Sequence, residues 1–292
     1  MIISHKIVAV HSYDGHSEAI VEEVVECIKD ICRQCSLVIT GANNRNIGLF
    51  LGTTFSNFDL RFNNFELFRQ KGLKAMNPAY APKGLLSYIS GQICIACNIK
   101  GCQSTVSSGS SSGFDSLFQA LHFLKRDREN KAIIIEFKEN FTVEPSCAIN
   151  GNCCLVLANQ DNGQGLAIRA ISSFFEKEHE VKAAIKAVQQ ALFEALLDAS
   201  RLDYCFLTTS DRLDAHIKDI KDCLGSFRGE FIVHGAAYTE SDTGIALIDK
   251  VFKHKKDRTG IIVNVGRNTN SSCVAIEGKS RRSSEQKRAN TR

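Results

Sequence analysis

Two rhythms of apolar and polar positions recur along the chain. Short unbroken apolar runs occupy residues 6–10, 47–54, 131–137, 204–207, 231–233 and 260–265. Runs of that length read as strands, and 131–137 (Lys-Ala-Ile-Ile-Ile-Glu-Phe) reads as one covered on both faces. Between them, apolar residues recur at steps of three and four, the spacing of one helix face. Ala19, Ile20, Val24, Val25, Ile28 and Ile31 mark the first such face, with Ser17 as a candidate cap. Phe55, Phe58, Phe62, Phe65 and Phe68 mark the second, and a third helix runs up to Ile95. The phenylalanine face is read as core packing in preference to an acyl-chain tunnel or a dimer surface. Further helices are predicted over 181–199, 213–224 and 243–252, and a last strand over 272–277. Residues 37–40 read as a short strand, Gly15 as punctuation, and 153–158 with 166–172 as an antiparallel pair about a Gly-rich turn at 161–165. Strands and helices alternate throughout, which predicts an α/β fold. Both halves follow the plan strand, helix, strand, helix, hairpin, without residue-level repetition.

The stretch 99–126 organises the rest. Residues 103–107 are extended, and Ser108-Gly109-Ser110-Ser111-Ser112-Gly113 is too small and flexible to lie inside an element, so it forms a turn. From Phe114, the apolar positions Leu117, Phe118, Leu121 and Leu124 define an amphipathic helix. Ordered patterns tight against both ends argue against a Ser/Gly linker. A serine on such a turn lies beside the free N–H groups of a helix start, where negative charge is favoured.

Charge and composition change this picture little. The formal net charge of +4 is carried by the tail 279–292, which holds six Lys/Arg against one Glu. The basicity therefore belongs to a solvated tail expected to be disordered, and no nucleic-acid groove is expected. No apolar stretch is long enough to span a membrane and no secretory leader is apparent, which makes the cytoplasm the expected compartment. Cys32-Arg33-Gln34-Cys35 and Cys94-Ile95-Ala96-Cys97 lie in helix-patterned segments without a nearby His pair, and they are read as structural thiols. No metal and no cofactor are expected.

Thr105-Val106-Ser107-Ser108-Gly109-Ser110-Ser111-Ser112-Gly113 resembles the nucleophile elbow T-V-S-T-A-C-A-S-G of the β-ketoacyl synthases, condensing enzymes of the thiolase fold. Asn46 to Thr54 is similar to that family's R-I-G-V-V-L-G-T strand. Residues 77–92 are similar to the helix before the elbow, and Asn150 to Ala158 with 165–171 to its G-E-G-A-G-V-L-V-L-E hairpin. The resemblance covers about 46–278. It implies a thiolase-like layered α-β-α-β-α fold, shortened at the N-terminus, with a ketosynthase-like half over 1–173, a second over 174–278, and the tail 279–292.

The same resemblance places Ser110 where the family carries its acyl-bearing Cys. A hydroxyl is not ionised near neutral pH, and a helix N-terminus alone does not change that, so Ser110 needs a base. In one alignment Thr208 stands at the first family His and Tyr238 at the second, and 266–270, ending in Asn270, resembles the late G-F-G-G-x-N gate. In a rival alignment Val233-His234-Gly235 with Asp242 matches A-H-G-T-G-T-x-x-x-D, and His234 is the base for Ser110. The first implies a non-condensing partner subunit, similar to a chain-length factor, in fatty-acid or aryl-polyene-type polyketide assembly. The second implies a Ser110-dependent acyltransferase or thioesterase with His234 catalytic. In either case Gly109, Ser111, Thr208, Tyr238 and Asn270 are candidate substrate contacts. The expected partners are acyl carrier protein or acyl-CoA, and a second subunit, either a copy of this chain or an active ketosynthase.

Overall fold

A computed structural model describes residues 5–16, 20–53, 58–78, 80–139, 148–159, 167–176, 179–209, 213–235, 244–255, 257–266 and 270–278. Tyr238, Phe55, Ser17, the turn 161–165 and the tail 279–292 lie outside them. For Ser110, His234 and Phe58 the backbone alone is described.

In chain order the elements are β1 (His5–His16), α1 (Ile20–Gln34), β2 (Ile47–Thr53), α2 (Phe58–Lys71), α3 (Tyr80–Lys83), α4 (Tyr88–Ala96), β3 (Gln103–Val106) and α5 (Ser112–Leu124). There follow β4 (Lys131–Glu139), β5 (Ala148–Asn159), β6 (Ala167–Phe175), α6 (Glu180–Ala195), β7 (Tyr204–Thr209), α7 (Leu213–Leu224), β8 (Glu230–Gly235), α8 (Ile245–His254), β9 (Gly260–Val265) and β10 (Asn270–Glu277). The chain forms two compact units. One comprises 8–158 and 236–246, the other 1–7, 159–235 and 247–292.

In the unit containing the elbow the strand order is β3-β2-β4-β5. β2 is parallel to both β3 and β4, and β5 is antiparallel to β4. Every residue of β2 is buried, as is 132–137 of β4. Unbroken apolar runs suit strands covered on both faces. On one face Val24, Ile28 and Ile31 of α1 and Ile89 and Ile93 of α4 pack with Leu49, Leu51, Ile133 and Ile135. α5 buries Phe114, Leu117, Leu121 and Leu124, and leaves Phe118 at its margin.

The other unit has the order β6-β10-β9-β7-β8. Here β7 is parallel to β8 and β9, β10 is antiparallel to β9, and β6 is antiparallel to β10. The Ala-rich face of α6 (Ala184, Ala187, Val188, Ala191) packs on Cys205, Leu207, Val263 and Cys273. Three parallel strands followed by an antiparallel one thus occur in both units with the same connectivity. The common plan read from the sequence is a topological repeat.

Four local expectations are corrected. Residues 37–40 form no strand: Leu37 N–H donates to Cys32 O at 2.8 Å and Thr40 N–H to Asn43 Oδ1 at 2.8 Å, so a helix end and a turn take those backbone groups. Gly15 lies inside β1. The two halves of the expected hairpin pair elsewhere, β5 with β4 and β6 with β10 and the start of β1. The phenylalanine face of α2 is not core: Phe62, Phe65 and Phe68 are 49%, 57% and 44% exposed.

Two buried features yield predictions. Tyr204 is fully buried against Gly260, and its hydroxyl has no hydrogen-bond partner among the described residues. An unpaired buried hydroxyl costs about 1–3 kcal/mol, so Tyr204→Phe is expected to leave the urea midpoint unchanged or raise it. A lowered midpoint would show that the hydroxyl is satisfied. The two Cys-x-x-Cys pairs meet where α1 packs on α4, and the described cysteines are free thiols. Burial pushes Cys32 and Cys94 up to about 12 and Cys97 up to about 11, with neighbouring thiols adding to the first two. Because these values exceed the ordinary 9.0, the folded state binds more protons above that pH. Stability is complete below about pH 9 and is expected to fall as pH rises toward 11–12, read as a declining urea midpoint. A midpoint constant over that window would place the thiols in water.

Candidate functional site

The elbow begins at the edge strand β3. Gln103 Nε2 donates to Ser90 Oγ at 2.7 Å, and Ser90 and Thr105 share a hydroxyl contact of 2.6 Å, which ties β3 to α4. The chain then makes a 3₁₀ turn over Gly109–Ser111 and enters α5 at Ser112. Gly109 has φ +65°, a conformation that an L side chain resists and glycine accepts. Ser112 locks the turn. Its Oγ accepts from Ser108 N–H at 2.9 Å and lies within donating distance of Gly109 O (2.7 Å) and Thr53 O (2.9 Å). Ser108 Oγ donates to Asp115 Oδ2 at 2.5 Å, in the first turn of the helix, where a carboxylate is favoured. Ser116 Oγ donates back to Gly113 O at 2.8 Å.

Two glycines bring this helix start onto the sheet. A Cβ on Gly52 of β2 would stand 2.5 Å from Ser112 O, and one on Gly113 would stand 2.3 Å from Glu136 Oε1 on β4. The turn is therefore fixed against β2 and β4 with the backbone of Ser110 at its centre. Ser111 is buried, so of the candidate contacts in the turn it faces protein. A rigid turn opening a thirteen-residue helix presents N–H groups to a developing negative charge. No cysteine stands in this turn.

The second group of candidates lies in the other unit, at the carboxyl ends of the parallel strands. Thr208 on β7 has His234 on β8 as one register neighbour and Asn264 on β9 as the other. Thr208 is buried and its Oγ1 donates to Asn264 Oδ1 at 2.9 Å. Asn264 is in register with Ser272, and Ser272 with Ser173. Ser272 Oγ donates to Ser173 Oγ at 3.1 Å, and Ser173 Oγ to Asn270 Oδ1 at 3.0 Å. Polar residues thus occupy successive register positions from β8 to β6, in two hydrogen-bonded sets, Thr208 with Asn264 and Ser272 with Ser173 and Asn270. Crevices outside the carboxyl ends of parallel strands are where α/β folds bind ligands.

Sequence reading missed Asn264 and Glu136. The signal was present in both cases: each is a lone polar residue in an unbroken apolar strand, in Gly260-Ile-Ile-Val-Asn264-Val and in Ala132-Ile-Ile-Ile-Glu136-Phe. Among the described residues no group of three His, Cys, Asp or Glu is arranged to hold a metal ion, and no helix is long and apolar enough to cross a membrane.

Comparison with known proteins places this geometry. Residues 14–134 match the N-terminal domain of β-ketoacyl synthase. No curated protein matches the sequence. Among solved structures, the ishigamide ketosynthase/chain length factor is similar with TM-score 0.62 and 15% identity, over 82% of this chain and 74% of that one. A β-ketoacyl synthase from Burkholderia phymatum STM815 gives TM-score 0.70 and 10% identity, over 88% and 82%. A chain of a type II polyketide acyl-carrier protein complexed with its ketosynthase bound to the hexaketide gives 0.69 and 11%, over 94% and 99%. The chain therefore has the thiolase-like layered α/β fold of the ketosynthases, and residues 14–134 are similar in sequence to the N-terminal domain of β-ketoacyl synthase.

Proposed function

We propose that this chain is a ketosynthase-like protein of fatty-acid or polyketide assembly, the aryl-polyene type included, and that it serves as the non-condensing partner of an active β-ketoacyl synthase. One observation carries the reading: the elbow turn is built and held rigid, yet serine stands at position 110 where the resembled enzymes carry cysteine. A thiol is readily ionised beside a helix N-terminus, whereas a hydroxyl is not. Thr208, at the position of the first family His, spends its proton on Asn264. A scaffold of this kind contributes surface and the wall of an acyl tunnel to its partner, with an acyl carrier protein delivering the chain. That solved neighbours include a ketosynthase/chain length factor and a ketosynthase complexed with acyl-carrier protein supports this choice of partners. In this reading 1–173 and 174–278 act as the two ketosynthase-like halves, and Gly109, Tyr238 and Asn270 face the acyl group or its carrier, while the buried Ser111 and Thr208 support them from within the protein.

A second reading keeps chemistry in the chain. His234 occupies the register position beside Thr208 at the carboxyl end of β8. With His234 as base, Ser110 would accept an acyl group from acyl carrier protein or acyl-CoA and hold its oxyanion on the N–H groups of α5.

Intact-mass measurement after incubation with acyl-carrier and acyl-CoA donors separates the two. The partner reading expects no acyl increment on the purified chain, and one-to-one co-purification from the native host with a ketosynthase bearing a cysteine elbow. An increment that is lost in Ser110→Ala overturns it in favour of the acyltransferase.

A further inference from the structure

Glu136 is 3% exposed in the middle of β4, between Ile135 and Phe137, which are also buried. Burying a carboxylate is costly unless donors are arranged around it. Its register neighbour on β2 is Gly52, over which the first residue of α5 is laid. On one side the carboxylate meets Gly113, the second residue of α5, where a Cβ would fall 2.3 Å from Oε1 and 2.7 Å from Oε2. On the other it meets Gly244, where a Cβ would fall 2.3 Å from Oε1 and 2.4 Å from Oε2. Gly244 has φ +61° and leads directly into Ile245, whose N–H donates to Oε2 at 2.7 Å. Residues 236–246 belong to the same compact unit as the elbow and β4, although they are distant in sequence.

We infer that Glu136 is a buried clasp that fastens the segment 244–246 to the elbow helix, and that Gly113 and Gly244 are glycines because the carboxylate fills the space their side chains would need. The physical case is specific. Ile245 is in the first turn of α8 and so has a free N–H that a helix cannot satisfy for itself. A carboxylate is the strongest acceptor available to it and is favoured by the partial positive charge of the helix start. Gly113 brings the first turn of α5 to the opposite side of the same group, so displacement of 244–246 changes the packing under the elbow. This holds whether or not Ser110 ever accepts an acyl group.

The test is a double-mutant cycle with hydrogen exchange on the full chain. Gly113→Ala alone is expected to lower the melting temperature by several degrees, because its methyl group collides with Glu136. In the Glu136→Ala background the same change is expected to be neutral or stabilising, since the methyl group enters vacated space and alanine is the better helix former. Glu136→Gln keeps the side-chain size, so it is informative even where Glu136→Ala fails to fold. It is expected to speed exchange of the Ile245 amide about tenfold or more and to raise exchange at 112–115 with it, leaving β9 amides unchanged. Additive melting shifts, or an Ile245 amide unmoved by Glu136→Gln, overturn the inference. Faster exchange at Ile245 without any change at 112–115 would also refute it, since the two helix starts would then be independent.

Discussion

The constraint on which the elbow unit depends is the contact of backbone with backbone where α5 begins. The first turn of this helix lies on β2 with nothing but hydrogen at Gly52 between them, and Ser112 ties the turn to Thr53 O. That approach sets the height of α5 over the sheet. From it follow the burial of Phe114, Leu117, Leu121 and Leu124, the tight 3₁₀ turn and the positive φ at Gly109. A larger residue at 52 would lift the helix start and with it every group that the turn presents. Packed interiors transmit such displacements because they contain little void to absorb them.

The two units use one connectivity for different ends. In one, the carboxyl end of the parallel strands leads into a rigid turn and a helix start. In the other, the corresponding strand ends carry hydroxyl and amide side chains in two bonded sets, Thr208 with Asn264 across β7 and β9, and Ser272, Ser173 and Asn270 across β10 and β6. Hydroxyl and amide groups have little capacity to accept or release a proton near neutral pH, which suits these two sets to holding a polar group more than to driving a reaction.

The sequence made most of the elements legible because burial on both faces leaves an unbroken apolar run, as in β2, β4 and β9, and burial on one face leaves the three-four spacing of α1, α5 and α6. The elbow was legible for a related reason, since a cluster of serine and glycine between two ordered patterns has few uses other than a turn. What stayed hidden depends on neighbours distant in the chain. Residues 37–40 have the composition of a strand and lack a partner strand. The halves of the supposed hairpin, 153–158 and 166–172, each found a different partner. Phe62, Phe65 and Phe68 carry the spacing of a core face, and spacing alone does not tell a core from a surface awaiting a cover. Glu136 was read as one residue of an apolar run, and its meaning rests on Gly113 and Gly244, which no local pattern connects to it. Ser110 and His234 were identified by resemblance; the backbone of the first lies in the turn before a helix and that of the second at a strand end.

The open phenylalanine face of α2 has a consequence for how the protein's stability is defined. Apolar surface left in water retains a free-energy gain to be realised on covering, about 25 cal/mol for each Å². A molecule that covers this face binds the folded chain and has nothing comparable to bind in the unfolded one. By mass action it then adds RT ln(1 + [L]/Kd) to the folding free energy. The melting temperature of the chain by itself is therefore a lower bound, and in a mixture it becomes a function of how much of the covering molecule is present.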